Sequence, residues 1–378
     1  MEANILLLIG AFEALFLGVL VITKQPKQVS DYLLSGILFL NALTIALSWI
    51  EMYNRAHAYP FPGLINSSTP FILLHGPFLW VYVKSLTSEK FRFKFTFLPH
   101  IIPFLLVASF IWISTYELPM RERILVDSEQ LFREHWSYPV IVGAIFISIQ
   151  SYILHSLAHI KKYKYKIKNY FSSIDHYNLR WLRFVLFTAM AFYGTISLTY
   201  ILDFFINILP YHFLQLTGFT IASVYILVLG FYGLKQGNIF TSHSIENLPS
   251  KQEEYTPNRP LESAEENFVH QLLKQMEEEQ PYLNPNLNLS QLAKQLMVTP
   301  EYLSGILNSR LNSSFFDFIN QYRIEAFKKH ILKADKPNYT LLGIAYECGF
   351  NSKATFNRVF KKGTGLTPGE YARQVSEK

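Results

Sequence analysis

The chain has 378 residues, 50% of them apolar and only 16% charged, with a net charge of +6 and a mean hydropathy of +0.16. Soluble proteins carry roughly 25% charged residues, so this composition argues against a wholly water-exposed molecule. The single cysteine, Cys348, excludes an intrachain disulfide and a cysteine metal cluster, and in its apolar helical surroundings it reads as a small buried hydrophobe.

The long apolar runs all lie in residues 1–235. The head does not read as a signal peptide, since Glu2 stands where a basic region would and no A-x-A site follows. A membrane-spanning helix needs about 20 mostly apolar residues, and seven segments qualify: 4–22, 32–51, 64–83, 95–115, 138–158, 184–208 and 212–234. The third is interrupted by Asn66, Ser67 and Ser68, and Pro70 and Pro77 should bend it.

Orientation follows from the distribution of basic residues. One set of loops holds Lys24, Lys27, Lys84, Lys90, Arg92, Lys94, Lys161, Lys162, Lys164, Lys166, Lys168, Arg180 and Arg183. The opposite set holds Arg55, Arg121, Arg123 and Arg133, outnumbered by Glu51, Glu117, Glu122, Asp127, Glu129 and Glu134. Seven alternating spans then put the N-terminus outside and everything after 235 in the cytoplasm, in the inner (cytoplasmic) membrane. The stretch KKYKYKIK (161–168) suits anionic lipid headgroups at that face.

Polar groups inside spans are costly and therefore candidates for function. Glu13 lies in the first span beside a stripe of Gly10, Ala14 and Gly18 that should pack closely on a neighbour. His75 lies in the third, Asn41 in the second, and Asp203 and Asn207 in the sixth. Glu13, His75 and Asp203 are the candidate sensing residues, either as a ligand pocket or proton-sensitive pair, or as interhelical hydrogen bonds. The outside loops are short, so a small molecule, a lipid or a partner protein would have to act on the bundle itself. HExxH, GxSxG and a Gly-rich phosphate loop do not occur, so neither an enzyme nor a cofactor is indicated.

Residues 236–263 are polar, carry Pro249, Pro257 and Pro260, and read as a flexible linker. A helix over 264–280 is expected next, and 264–378 reads as a soluble all-α domain with two helix-turn-helix units. In the first, LSQLAKQL (289–296) turns Leu289, Leu292, Ala293 and Leu296 to one face, MVT makes the turn, and Thr299-Pro300-Glu301 starts the second helix. A long helix over 315–332 follows. In the second unit, Thr340 caps LLGIAYEC, Gly349 ends it, and Ser352 caps KATFNRVFKK, with Phe356, Val359 and Phe360 inward and Lys353, Asn357, Arg358 and Lys361 outward. Residues 281–378 carry thirteen Lys and Arg against seven Asp and Glu, a modest field that predicts moderate, salt-sensitive affinity for a polyanion.

In its second unit the C-terminal hundred residues resemble the DNA-binding domain of the AraC/XylS family of transcription regulators. The matching positions are Ile344, Ala345, Gly349, Phe350, Ser352, Phe356, Arg358, Phe360, Lys361, Lys362, Gly365, Thr367, Pro368 and Tyr371, with departures at Ala354 and Ala372. The resemblance implies base reading by Lys353, Asn357 and Arg358, a phosphate contact from Lys361, and weaker reading by Glu301 and Ser304 in the first unit, where Gly305 has no side chain to read with. For Arg358 the alternative is a structural salt bridge. HGPFLWVYVKSLT (75–87) and LPHIIPFLL (98–106) also look like a seven-helix sensor region found on some members.

The sequence thus predicts an all-α protein: a seven-transmembrane-helix bundle over 1–235, a linker over 236–263, and a cytoplasmic AraC-type domain over 264–378. The expected function is a membrane-anchored one-component regulator that binds specific double-stranded DNA, with the bundle as sensor and a homodimer as one route of control. The alternative is a transporter or membrane enzyme with an autoregulatory DNA-binding tail.

Overall fold

The computed structural model describes residues 2–88, 91–174, 179–206, 209–235, 262–333 and 340–376. The predicted linker falls outside them as far as residue 261. Among the described residues the fold is all-α. The chain divides into two compact units, Met1–Lys161 with Leu179–Asn238, and Lys162–Asn178 with Ile239–Lys378.

The first unit contains α1 (Glu2–Thr23), α2 (Val29–Ala56), α3 (Thr69–Leu86), α4 (Ile102–Ile111), α5 (Met120–Ser128), α6 (Ser137–Tyr170, as far as Lys161), α7 (Arg180–Ile206) and α8 (Tyr211–Lys235). A 3-10 turn before α4 and a π turn after it extend that helix to Phe95–Tyr116. Among the described residues six helices are long and apolar enough to cross a membrane: Ile5–Thr23, Val29–Ala56, Phe95–Tyr116, Ser137–Tyr170, Arg180–Ile206 and Tyr211–Lys235. The third predicted span, 64–83, is the exception. It forms α3, whose 18 residues are long enough at about 27 Å but whose apolar character is diluted by Thr69, Pro70, His75, Pro77, Lys84 and Ser85. Pro70 opens that helix and Pro77 lies within it.

Close packing of α1 comes from the predicted small-residue stripe. Ala14 is fully buried, Gly10 abuts Ser223 of α8, and a Cβ on Gly18 would fall 2.6 Å from the Phe39 ring of α2. Ser35 Oγ donates to Gly18 O at 2.8 Å across the same contact. Much of the outward apolar surface, such as Phe12 and Phe16 of α1, is exposed.

Several of the loop charges expected on the outer side are partly buried and paired. Arg55 donates to both oxygens of Asp127 at 3.0 and 2.7 Å, and to Gln215 Oε1 at 2.9 Å. Tyr59 also donates to Asp127, at 2.9 Å. Glu51 accepts from Ser68 N at 2.8 Å and from Gln215 Nε2 at 3.1 Å. A buried carboxylate is tolerated only when its lone pairs are taken up in this way.

The second unit includes α9 (Glu262–Glu278), α10 (Leu289–Gln295), α11 (Pro300–Ser309), α12 (Phe315–Lys333), α13 (Leu341–Glu347), α14 (Lys353–Thr364) and α15 (Pro368–Ser376), together with the residues of α6 beyond Lys161. Helix starts are closed by their own side chains. Asn288 accepts from Gln291 N at 2.9 Å, Thr299 from Tyr302 N at 3.2 Å, Thr340 from Gly343 N at 3.0 Å and Ser352 from Thr355 N at 3.1 Å. At α15, Thr367 and Glu370 exchange bonds of 2.7 and 3.3 Å. Each such cap is worth about 1 kcal/mol.

Leu289, Leu292, Ala293, Leu303, Ile306 and Leu307 form the core of the first helix-turn-helix. In the second, Phe327 of α12 meets Phe356 and Phe360 of α14 at ring separations of 4.7 and 5.2 Å. Phe356 and Phe360 are buried as expected, and Val359 is half-buried. Cys348 is fully buried, and burial, reinforced by the Glu347 charge, pushes its thiol up to about 12.

Candidate nucleic-acid interface and membrane-unit cavity

Gly349 has a φ of +89°, a left-handed conformation that glycine adopts without the Cβ penalty. A Cβ there would also meet Tyr282 O and come 2.9 Å from Leu283 O. Glycine therefore sets the sharp turn from α13 into α14, and the Ser352 cap fixes where α14 begins. From that start, Lys353, Asn357 and Lys361 recur every four residues on one stripe with Arg358 beside them, and all four are exposed. They line one open groove together with Leu341, Thr367 and Pro368.

Arg358 Nη2 donates to Thr355 Oγ1 at 3.2 Å, one turn back, and among the described residues no carboxylate pairs with it. Lys362 is turned away from the groove and donates to Asp317 Oδ1 at 3.0 Å.

On α11, Glu301 is exposed and Ser304 is half-buried. Asn308 donates to Ser304 O at 2.8 Å. Asn308 is exposed on the same face and was missed by sequence reading, although its i+4 spacing from Ser304 was the available signal. Between the two units runs α12, whose 19 residues span about 28 Å. Arg323, also missed, lies buried on α12 at 1% exposure. Its Nε donates to Tyr282 O at 2.7 Å and its Nη2 to Asn284 O at 2.8 Å. Burial pushes its pKa down to about 10, which leaves it charged at neutral pH.

In the first unit the three sensing candidates do not form one site. Asp203 is buried and pairs with Arg133, while accepting from Leu209 N at 3.1 Å. Glu13 Oε1 is buried with no hydrogen-bond partner among the described residues. His75 alone lines a cavity of about 210 Å³.

That cavity is bounded by α2, α3, α4, α6, α7 and α8, with Thr44, Tyr193, Tyr200, Tyr211 and Gln215 among its polar lining. His75 Nε2 lies 3.2 Å from Thr44 Oγ1 and Nδ1 lies 2.8 Å from Tyr193 Oη. Thr44 gives its own proton to Leu40 O at 2.8 Å, so it accepts from Nε2–H and Nδ1 accepts from Tyr193. Among the described residues no Asp, Glu, Lys or Arg lines the cavity. The composition gave no hint of it, because its walls come from six separate helices.

Residues 292–374 match a family model described as "Helix-turn-helix domain". An uncharacterized HTH-type transcriptional regulator, YtdP of Bacillus subtilis (strain 168), is 29% identical over 109 residues, which is 29% of this chain and 13% of YtdP. An uncharacterized transcriptional regulatory protein of the same organism, YesN, is 35% identical over 94 residues, 24% of this chain and 25% of YesN. An uncharacterized HTH-type transcriptional regulator of Staphylococcus aureus (strain COL) is 33% identical over 90 residues, 24% of this chain and 12% of its own length. The chain therefore spans a quarter or less of these relatives. No solved structure matches it. The helix order, the capped turns and the family match together identify the C-terminal residues 292–374 as an AraC-type helix-turn-helix domain.

Proposed function

We propose that the chain is a membrane-anchored, one-component transcription regulator that binds specific double-stranded DNA. The observation that carries this reading is the exposed stripe Lys353, Asn357, Arg358 and Lys361 on the second helix of an AraC-type unit, in a chain with six membrane-length apolar helices. Lysine and arginine suit guanine edges in the major groove and asparagine suits adenine, while Lys361 serves a phosphate. Glu301 and Ser304 supply a smaller share from α11. A connecting helix of about 28 Å, against about 34 Å between successive major-groove faces, is consistent with one chain addressing two adjacent grooves. Counting α3 as a seventh crossing, since its 18 residues lie within the roughly 17–25 that can span a bilayer, puts the N-terminus outside and the C-terminal unit in the cytoplasm, in line with the basic loops, which lie beside anionic lipid.

The sensor in this reading is the cavity around His75. Its volume exceeds that of an apolar cavity of about 150 Å³ that holds benzene, and its lining fits a small uncharged molecule with an apolar body and one or two hydrogen-bonding groups. Ligand binding shifts the packing of the apolar helices, and homodimerisation is one way the shift reaches DNA. Moving the population from mostly off to mostly on takes about 5.5 kcal/mol of differential affinity.

The test is selection of bound duplexes from a genomic library by the full-length protein in lipid nanodiscs, with Arg358→Ala alongside at two salt concentrations. One enriched motif, lost in the variant, supports the reading. Salt-sensitive binding without a motif removes sequence specificity from it.

A further inference from the structure

The last turns of α6 and the residues after them read YKYKIKNYFSSI over 163–174. Tyr163, Ile167 and Tyr170 recur at helical spacing and are buried, as are Phe171, Ser172 and Ile174, whereas Tyr165 is exposed. By its contacts this segment belongs to the DNA-binding unit, although it lies about 120 residues earlier in the chain than the first helix-turn-helix.

Three groups of bonds tie it there. At the first helix-turn-helix, Phe171 forms an antiparallel bridge with Asn288, the capping residue of α10. Ser172 Oγ donates to Leu287 O at 2.6 Å and Ser172 N donates to the same oxygen at 3.3 Å. At the connecting helix α12, Ser172 O accepts from Asn320 Nδ2 at 2.9 Å and from Arg323 Nη1 at 3.3 Å. Arg323 Nη2 donates to Ser172 Oγ at 3.1 Å, and Lys168 lies 3.4 Å from Asp317, the carboxylate that also holds Lys362 of α14. At the second helix-turn-helix, Ser173 Oγ donates to Asn351 Oδ1 at 2.7 Å, one residue before the Ser352 cap of α14.

Arg323 is the centre of this arrangement. A buried guanidinium must have its donors taken up, and Ser172 supplies acceptors to two of its three nitrogens. The DNA-binding unit is therefore completed by a segment outside the C-terminal hundred residues. That segment touches both helix-turn-helix units and the helix that spaces them.

We propose that residues 163–174 are an intrachain strap that fixes the relative placement of the two helix-turn-helix units, and that movement of α6, with which the strap is continuous, reaches DNA by loosening or tightening it. The docking stands on the contacts above, while its consequence for DNA rests on the regulator reading.

The test uses full-length protein in nanodiscs and two variants. Ser172→Arg places a second cation against Arg323 and should undock the strap. Ser173→Ala removes only the bond to Asn351 and guards against a misfolded first variant. Hydrogen exchange reads docking without DNA: protection of amides at 171–174 and near Leu287 should fall at least tenfold in Ser172→Arg, while the α10–α11 core stays protected. Affinity for the selected duplex should then change at least tenfold in Ser172→Arg and about threefold in the same direction in Ser173→Ala, with non-specific binding within twofold of wild type. Unchanged protection in Ser172→Arg would overturn the docking. Lost protection with specific affinity within twofold of wild type would overturn the strap's control of the DNA-reading units. A wild type that selects no motif defeats the regulator reading and with it the control of DNA, and leaves the docking to be decided by exchange.

Discussion

In the DNA-binding unit Asn288, Thr299, Thr340 and Ser352 each satisfy a backbone donor three residues away. In the apolar unit Arg55 reaches 72 residues along the chain to Asp127 and 160 to Gln215, and Arg133 reaches 70 to Asp203. Both solve the same problem, since a buried polar group without a partner costs free energy. The first solution is written in neighbouring letters. The second exists only once distant helices have met, so its parts read as scattered loop charges. The comparison teaches that the DNA-binding unit should lose stability in small, local steps, and the apolar unit in large ones.

The largest expected effect is on the distant pairs. Asp127→Ala leaves the Arg55 guanidinium without its bidentate partner and should destabilise the apolar unit by about 3–5 kcal/mol. Thermal unfolding in detergent checks this, and the double variant Arg55→Met/Asp127→Leu should recover most of the loss. A single-variant loss below about 1 kcal/mol would show that the pair is not what holds α2 to α5.

Arg358→Ala comes next and touches function rather than folding. It should weaken the specific duplex by about 1–3 kcal/mol, roughly five- to 150-fold, and relax preference at one base position, as read by competition binding. An unchanged melting temperature separates this from a structural role. Lys361→Ala should weaken all duplexes alike and reduce the slope of log affinity against log salt by about 1.

Removing the local cap in Ser352→Ala should cost about 1 kcal/mol, measured by unfolding of the DNA-binding unit. A loss as large as that of Asp127→Ala would break the contrast between the units.

The smallest effect concerns Asp317. Burial raises its carboxyl pKa, but the Ser314 hydroxyl, the Lys362 hydrogen bond and the Lys168 charge outweigh it and hold the pKa below the ordinary 3.8. A carboxyl lowered in the folded state stabilises it above the unfolded value, and this is lost as pH falls through the folded value. Asp317 is 36% exposed, so Asp317→Asn should cost at most about 1 kcal/mol at pH 7, and the difference from wild type should shrink as pH falls below about 3.8 and vanish once pH is below the lowered folded value. A difference that persists there would mean the carboxylate charge is not the source.

The boundaries of α10 to α15 were legible because capping, glycine turns and helical periodicity act within about four residues. Thr299-Pro300-Glu301, Gly349 and Ser352 therefore behave as read. The apolar runs were legible for a similarly short-range reason, since each stretch of about 20 apolar residues needs only its own composition to be recognised. Residues 64–83 show the margin of that rule: the polar residues before Thr69 delay the helix, and His75, Pro77 and Lys84 leave α3 less apolar than the six spans.

What only the tertiary structure decided is which distant residues meet. Glu13, His75 and Asp203 share a polar character that made them candidates together, yet His75 alone faces the cavity, Asp203 is taken by Arg133, and Glu13 lies apart. Ser172, buried beneath Arg323, carries no local signal of that contact. Local sequence determines where helices start, stop and turn their apolar faces, because those preferences are paid within one turn of chain. Cavities, buried ion pairs and the strap depend on contacts between segments tens to hundreds of residues apart, whose pairing no local preference encodes.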